Sequence, residues 1–179
     1  MSIKHRHYTK FDFWDLYVEN SHVNENEYIQ RSPDFVDLPV FGNISATLPQ
    51  VSWEGHDEAI QCYSKTWELA FGNLHNPSEK SGFATPFIDA AFNDCLFMWD
   101  ACFAVQFARY GRHVFDFQQT LDNFYAKQHP DGFICRQIRC TDGKDIFFRL
   151  DTTSTGPNIF AWVEWQHYIA TGDLARLNK

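Results

Sequence analysis

Long apolar runs are missing from this sequence. No uncharged stretch reaches the ~18–20 residues that a membrane-spanning helix needs, so no membrane partner is expected. The opening Met1-Ser2-Ile3-Lys4-His5-Arg6-His7 is followed by no apolar segment of the kind a secretory leader carries, and a cytoplasmic protein is expected. Basic residues are in deficit. Fifteen Lys and Arg stand against 23 Asp and Glu, a net charge of −8, whereas nucleic acids and anionic membranes call for a basic footprint. No glycine-rich phosphate loop or Gly-x-Ser-x-Gly elbow occurs, and no cofactor is expected. The eight His residues are scattered, and no His/Cys/Asp group has zinc-site spacing. His5-x-His7 could bind a metal incidentally, but no metal centre is expected. The five cysteines (62, 95, 102, 135 and 140) are odd in number and irregularly spaced, which reads as reduced, mostly buried thiols. Cys135 and Cys140 would pair only if the chain between them turned.

What the sequence has in excess is aromatic side chains: 17% of 179 residues, with 18 Phe, 7 Tyr and 6 Trp. They suit a large core or a groove that stacks flat ligand faces. The most concentrated stretch is 92–111. From Leu96 to Ala108 it is apolar on nearly every side, interrupted by Asp100 and Gln106. A helix apolar all round is a buried helix, and an unpaired buried charge is expensive. Asp100 is therefore expected either to be tied down by donors inside the fold or to face a cavity where a ligand supplies them.

Along the chain, residues 1–50 read as an irregular arm that packs on the main body, with an aromatic-rich stretch at 8–18 and an extended, Pro- and Gly-broken stretch at 34–42. Residues 49–73 read as a helix, capped by Ser52, carrying Ile60, Tyr63, Trp67 and Phe71 at helical spacing, and ended by Gly72-Asn73. A loop follows over 76–86. The buried helix is expected over 94–110, closed by Gly111. An amphipathic, antiparallel helix is expected over 112–128, its stripe Val114, Phe117, Leu121, Phe124/Tyr125 and its polar residues, Asp122 among them, away from that stripe. Residues 133–138 and 146–150 alternate like a β-hairpin turning at Asp142-Gly143. Asn158 would cap a helix over 159–171 that ends at Gly172. Asp173 opens a further segment, and Gly172-Asp173 reads as the turn into a next helix, so a longer protein, truncated here at its C-terminal side, is expected.

Three stretches, in order, carry a resemblance: Phe97-Met98-Trp99-Asp100-Ala101-Cys102-Phe103, Gln128-His129-Pro130-Asp131-Gly132-Phe133-Ile134-Cys135-Arg136, and Ser154-Thr155-Gly156-Pro157-Asn158-Ile159-Phe160-Ala161-Trp162-Val163-Glu164-Trp165 running on to Thr171-Gly172-Asp173. Together, over residues 50–179, the chain resembles the (α/α)6-barrel, or six-hairpin, glycosidases, in particular the trehalase-like and glucosidase/mannosylglycerate-hydrolase relatives. Two positions depart from that pattern: Cys135 stands where Pro is often found, and Gly156 where Gln or Asn is frequent. The resemblance implies an all-α fold, part of a toroid of helical hairpins over 51–179 with a small β-hairpin insertion. It also implies the N-terminal portion of an inverting hydrolase of O-glycosyl bonds, supplying part of a sugar pocket. Its general acid and base would lie on later hairpins, so no catalytic pair is assigned in this chain.

The residues the resemblance singles out keep two readings each. Trp99 stacks on a pyranose or belongs to the core. Asp100 accepts from sugar hydroxyls or is a structural carboxylate. Phe97 flanks them in the same motif. Arg136 reaches a sugar hydroxyl, a substrate carboxylate or Asp100, or is a solvated strand charge. Asn158 contacts sugar in place of the departed Gln or Asn, or is a helix cap. Trp162 reads as core, and Glu164 as a helix-surface residue more than a pocket carboxylate. The competing functional class is a non-catalytic carbohydrate-binding or structural helical domain; a terpene-cyclase-like toroid would share only architecture. A carbohydrate is the expected partner. An incomplete toroid would expose an apolar edge, so self-association or completion by the remainder of the domain is expected too.

Overall fold

Asp57 and Glu58 sit where the helix dipole favours acids, and the spacing of Tyr63, Trp67, Ala70 and Phe71 gives the helix that follows one apolar face. In the computed structural model, which describes residues 20–90, 93–147 and 159–178, this is α2 (Asp57–Gly72). It starts later than expected: Gly55 turns with φ +76°, the cap position is His56, and Ser52 caps nothing. Trp67 is the hub of its buried face. The rings of Tyr63, Phe71, Phe107 and Phe117 all lie within 6.5 Å of it. Gly111 passes so close that a Cβ there would meet the Trp67 ring at 3.0 Å.

Ahead of α2, residues 20–56 run through short 3-10 turns and the one-turn α1 (Phe41–Ile44). Tyr28 buries against Ala84 and Ala126, and Leu48 enters the main core. After α2, β1 (Leu74–His75) pairs antiparallel with β2 (Phe87–Ile88). The loop between them is held from inside. The buried Asn123 side chain accepts from the N–H groups of Ala84 and Thr85 and donates to the Thr85 carbonyl, and Thr120 accepts from Ile88 N–H. Buried backbone groups in a loop need such partners.

The stretch expected as one helix over 94–110 divides. Cys95–Phe97 form β3, and Met98–Ala108 form α3. α3 is not buried all round. Met98, Ala101, Cys102, Val105 and Ala108 face the core, while Trp99 (48% exposed) and Phe103 (47%) face outward and Asp100 is exposed. Its neighbours include α2, α4, α5 and strand β3, and the outward Trp99 and Phe103 remain about half exposed.

The next helix is also shorter than expected. Asp116 caps a 3-10 turn by accepting from Gln118 N–H, and regular helix begins only at α4 (Thr120–Ala126). Phe117, Leu121 and Phe124 are fully buried, as the stripe predicts, but so is Asp122, contrary to its expected place away from the core. The expected hairpin exists as far as the described residues reach. Gly143 turns with φ +68°, Arg139 N–H donates to Lys144 O and Ile146 N–H to Gln137 O. Residues 148–150 lie outside the described set. The main partner of β4 (Gln137–Arg139) was missed: it pairs antiparallel with β3. A tertiary pairing across some forty residues leaves no local trace.

α5 (Phe160–Thr171) ends at Gly172, left-handed with φ 73° as a C-terminal glycine should be. Asp173 then caps α6 (Leu174–Leu177) by accepting from Arg176 N–H. The protein is helix-rich and mixed rather than all-α: among the described residues, six α-helices and two small antiparallel sheets, with about half of the residues helical.

Candidate functional site

Backbone pairing builds the site. The β3–β4 ladder sets Cys95 opposite Arg139, Leu96 opposite Ile138 and Phe97 opposite Gln137. It is prolonged one step by Met98 N–H, which donates to Arg136 O at 2.8 Å. On the other side of the same strand, the Ile138–Asp145 bridge continues in the same register to place Arg136 opposite Phe147. Arg136 thus sits between the start of α3 and residues 145–147, and its guanidinium lies 3.9 Å above the Phe147 ring, a cation–π stack.

Phe97, half-buried, ends β3 at the N-cap position of α3 and supplies no side-chain cap. Trp99 and Asp100 follow in the first helical turn, both exposed. Trp99 packs on Phe103 one turn on, ring centroids 5.2 Å apart. Asp100 is thus neither a buried structural carboxylate nor one sealed in a cavity; a first-turn acid in solvent is favoured by the helix dipole and stays available. The structure brings Phe97, Trp99, Asp100 and Arg136 to one end of α3. Asn158 lies outside the described residues, and the cap position of α5 is Ile159.

Two readings on α5 are overturned. Trp162 is not core but 48% exposed, because Phe160, Val163 and His167 take the inward face. Glu164 is not a surface residue. Its side chain is 14% exposed, it accepts from Tyr125 O–H at 2.9 Å, and its two oxygens accept from Arg176 Nε and Nη2 at 2.7 and 2.8 Å. The same Nη2 donates to Asp122 at 2.8 Å and to the Gln118 carbonyl, and Arg31 approaches the far Asp122 oxygen at 3.7 Å.

Burial pushes the Asp122 carboxyl up to about 6 against the pull of Arg176. It also pushes the Tyr125 phenol well above its ordinary range, and Glu164 adds to that. Burial works against the Arg176 charge, but its hydrogen bonds to Glu164 and the Asp122 carboxylate outweigh it and hold its pKa above the ordinary value. Sequence reasoning missed this cluster, because Arg176 meets carboxylates carried by two other helices.

A second buried pair joins His129 Nε2 to Asp145 Oδ2 at 2.6 Å, both side chains about 5% exposed or less. Cys95, Cys102 and Cys135 are buried, as expected; burial pushes Cys135 up to about 11 and Cys102 and Cys140 up to about 12, so these three stay protonated at neutral pH.

Two adjoining cavities of about 310 and 270 Å³ share Pro49, Tyr63 and Trp67. The second is lined by Phe107 and Tyr110, and Phe107 lies some 12 Å along α3 from Trp99 at ~1.5 Å per residue. Around them Tyr63 O–H donates to Pro49 O, Thr66 O–H to Cys62 O, and Gln50 Nε2 to the carbonyls of Ser45 and Leu48. Among the described residues no group of His, Cys, Asp or Glu could hold a metal ion, and no helix is long and apolar enough to cross a membrane. Compared with known proteins, the chain matches no family model, no curated protein and no solved structure.

Proposed function

We propose that this chain supplies the sugar-binding wall of an inverting glycoside hydrolase of the (α/α)6 type. The observation that carries the reading is the joint exposure of Trp99 and Asp100 on the first turn of α3. Trp99 leaves about half of its side chain in water, forgoing part of the roughly 1.5–3 kcal/mol that full burial gives, and the next residue is an exposed carboxylate. Trp99, backed by Phe103, stacks on the C–H face of the ring. Asp100 accepts from two neighbouring hydroxyls in charge-assisted bonds. Phe97 and Arg136 border the same end, and Asn158 is assigned to it on the resemblance alone.

The alternative is a carbohydrate-binding domain without catalysis. One observation favours it. Inversion needs two carboxyls about 6.5–9.5 Å apart with a water between them, but the buried carboxylates Asp122 and Glu164 hold Arg176, and Asp145 holds His129. Under the first reading the general acid and base come from hairpins outside this sequence. The outward faces of α3 and α5, with Phe103, Trp162, Trp165 and Ile169 exposed, then pack against a further helical layer, from those hairpins or from a second copy.

The test is to titrate the protein with glucose, mannose and trehalose, following tryptophan fluorescence, and to assay the longest natural chain that contains this sequence with aryl glucosides, aryl mannosides and trehalose itself. Binding with turnover and inversion supports the hydrolase. Binding without turnover supports the binding domain. Absence of saturable binding to any pyranose contradicts both.

A further inference from the structure

The β3–β4 ladder has two faces. Leu96 and Ile138, opposite each other, are both 0% exposed, so their face is core. Alternation puts Cys95, Phe97, Gln137 and Arg139 on the other face. That face is closed at one end, where Cys95 is buried. It is open at the other, where Phe97 and its partner Gln137 are both half-buried. Phe97 is also the N-cap position of α3, so the open end is the end that carries Trp99 and Asp100.

The polar groups of this face are unequally committed. Arg139 Nη1 donates to Asp142 at 3.3 Å. The Gln137 carbonyl accepts from Ile146 N–H at 3.1 Å and from the Cys135 thiol at 3.1 Å. No hydrogen bond joins the Gln137 side-chain amide to another described residue. Opposed residues of an antiparallel pair have Cβ atoms about 4.5–5.5 Å apart, and Trp99 follows Phe97 by two residues, at most about 7 Å of backbone. A sugar ring resting on Trp99 is therefore within reach of a glutamine held across the ladder.

Asp100 can only accept. A sugar hydroxyl is donor and acceptor at once, so a carboxylate alone leaves hydroxyl oxygens without donors. An amide supplies both groups: its NH2 donates to one hydroxyl oxygen while its carbonyl accepts from the neighbouring hydroxyl. We infer that Gln137 is a specificity-determining residue at the first turn of α3, reading two adjacent free hydroxyls of a pyranose. The inference rests on the carbohydrate reading and narrows its ligand to pyranosides with a vicinal diol.

The test is a cycle between protein and ligand. Wild type, Gln137→Leu and Gln137→Glu are titrated by tryptophan fluorescence with methyl α-D-glucopyranoside and methyl α-D-mannopyranoside, and with the 2-, 3- and 4-deoxy forms of whichever binds. Gln137→Leu keeps the bulk and removes both hydrogen-bonding groups; Gln137→Glu keeps an acceptor and removes the donors. Each should raise Kd about tenfold, with the urea midpoint of wild type, because no described residue depends on the amide. Two deoxy sugars, lacking adjacent hydroxyls, should bind wild type about tenfold more weakly than the parent yet bind Gln137→Leu as the parent does, because the hydroxyl and the amide form one interaction.

Wild-type affinity in both variants, or deoxy penalties of equal size in wild type and Gln137→Leu, overturns the inference and leaves the carbohydrate reading standing. A lowered urea midpoint in both variants makes the side chain structural and overturns it as well. Absence of saturable binding of either pyranoside to the wild-type protein overturns both the inference and the reading beneath it.

Discussion

Met98 N–H donates to the Arg136 carbonyl at 2.8 Å, and through that bond a strand from the middle of the chain fixes where α3 begins. The stretch with the strongest helical pattern gives up its first four residues, three of them to β3, and the exchange sets Trp99 and Asp100 in a first turn open to solvent rather than in the middle of a buried helix. Five expectations bear on this structure.

Among the described residues, Arg176 is the cation that donates to both Asp122 and Glu164 at 2.8 Å or less. Arg176→Met leaves two carboxylates and the Tyr125 hydroxyl buried around an apolar side chain. The expected loss is about 3–5 kcal/mol, read as a lower urea midpoint at unchanged m-value. A loss below about 1 kcal/mol would mean that the carboxylates find water on removal of the guanidinium.

Asp122 gives the stability curve a definite sign. Its folded pKa of about 6 lies above the ordinary 3.8, so between those values the folded protein keeps a proton that the unfolded chain has released. Stability contributed by this group is full below about 4 and falls as pH rises through 6, by on the order of 2–3 kcal/mol. Unfolding midpoints from pH 4 to 7 should show wild type losing stability relative to Asp122→Asn across that window; parallel curves would contradict the assignment.

Two glycines separate close approach from backbone conformation. A Cβ at Gly143 would stand 1.8 Å from the Ser81 carbonyl oxygen, with φ +68°, whereas Gly172, at φ +73°, has open space around it. Gly172→Ala should cost about 1 kcal/mol for the left-handed backbone alone. Gly143→Ala should cost about 3 kcal/mol, because the turn must also lift from the 78–82 loop. Thermal melts of the two variants make the comparison.

Among the five thiols only Cys62 is exposed. A disulfide-exchange reagent at pH 8 should titrate a single thiol in the native protein and all five in denaturant. Rapid reaction of Cys135 or Cys140 in the native state would contradict the burial that pushes them up to about 11 and about 12.

Periodicity made the α2 stripe, the Phe117–Leu121–Phe124 stripe and the helix before Gly172 readable, because each depends on neighbours three and four residues away. The Asp142-Gly143 turn was readable for the same local reason. Three things were not. The β3–β4 pairing depends on residues some forty positions apart. The exposure of Trp99, Phe103 and Trp162 depends on how many neighbours cover a helix, and composition around the helix is the same whether or not that cover exists. Asp122 and Glu164 looked like solvent charges because their shared partner, Arg176, is distant in sequence. At the candidate site, the motif pointed to Trp99 and Asp100 together; the arrangement that holds Arg136 near them came only from the fold.

The most direct test is a fluorescence titration with pyranoses of the wild-type protein, Trp99→Ala and Asp100→Asn, alongside their urea midpoints. Both residues are exposed, so both variants should keep the wild-type midpoint to within about 0.5 kcal/mol. Wild type should show saturable quenching, lost in Trp99→Ala, and Asp100→Asn should weaken binding about tenfold, the worth of one charge-assisted hydrogen bond. No saturable signal in the wild-type protein, or affinity unchanged in both variants, would contradict the account.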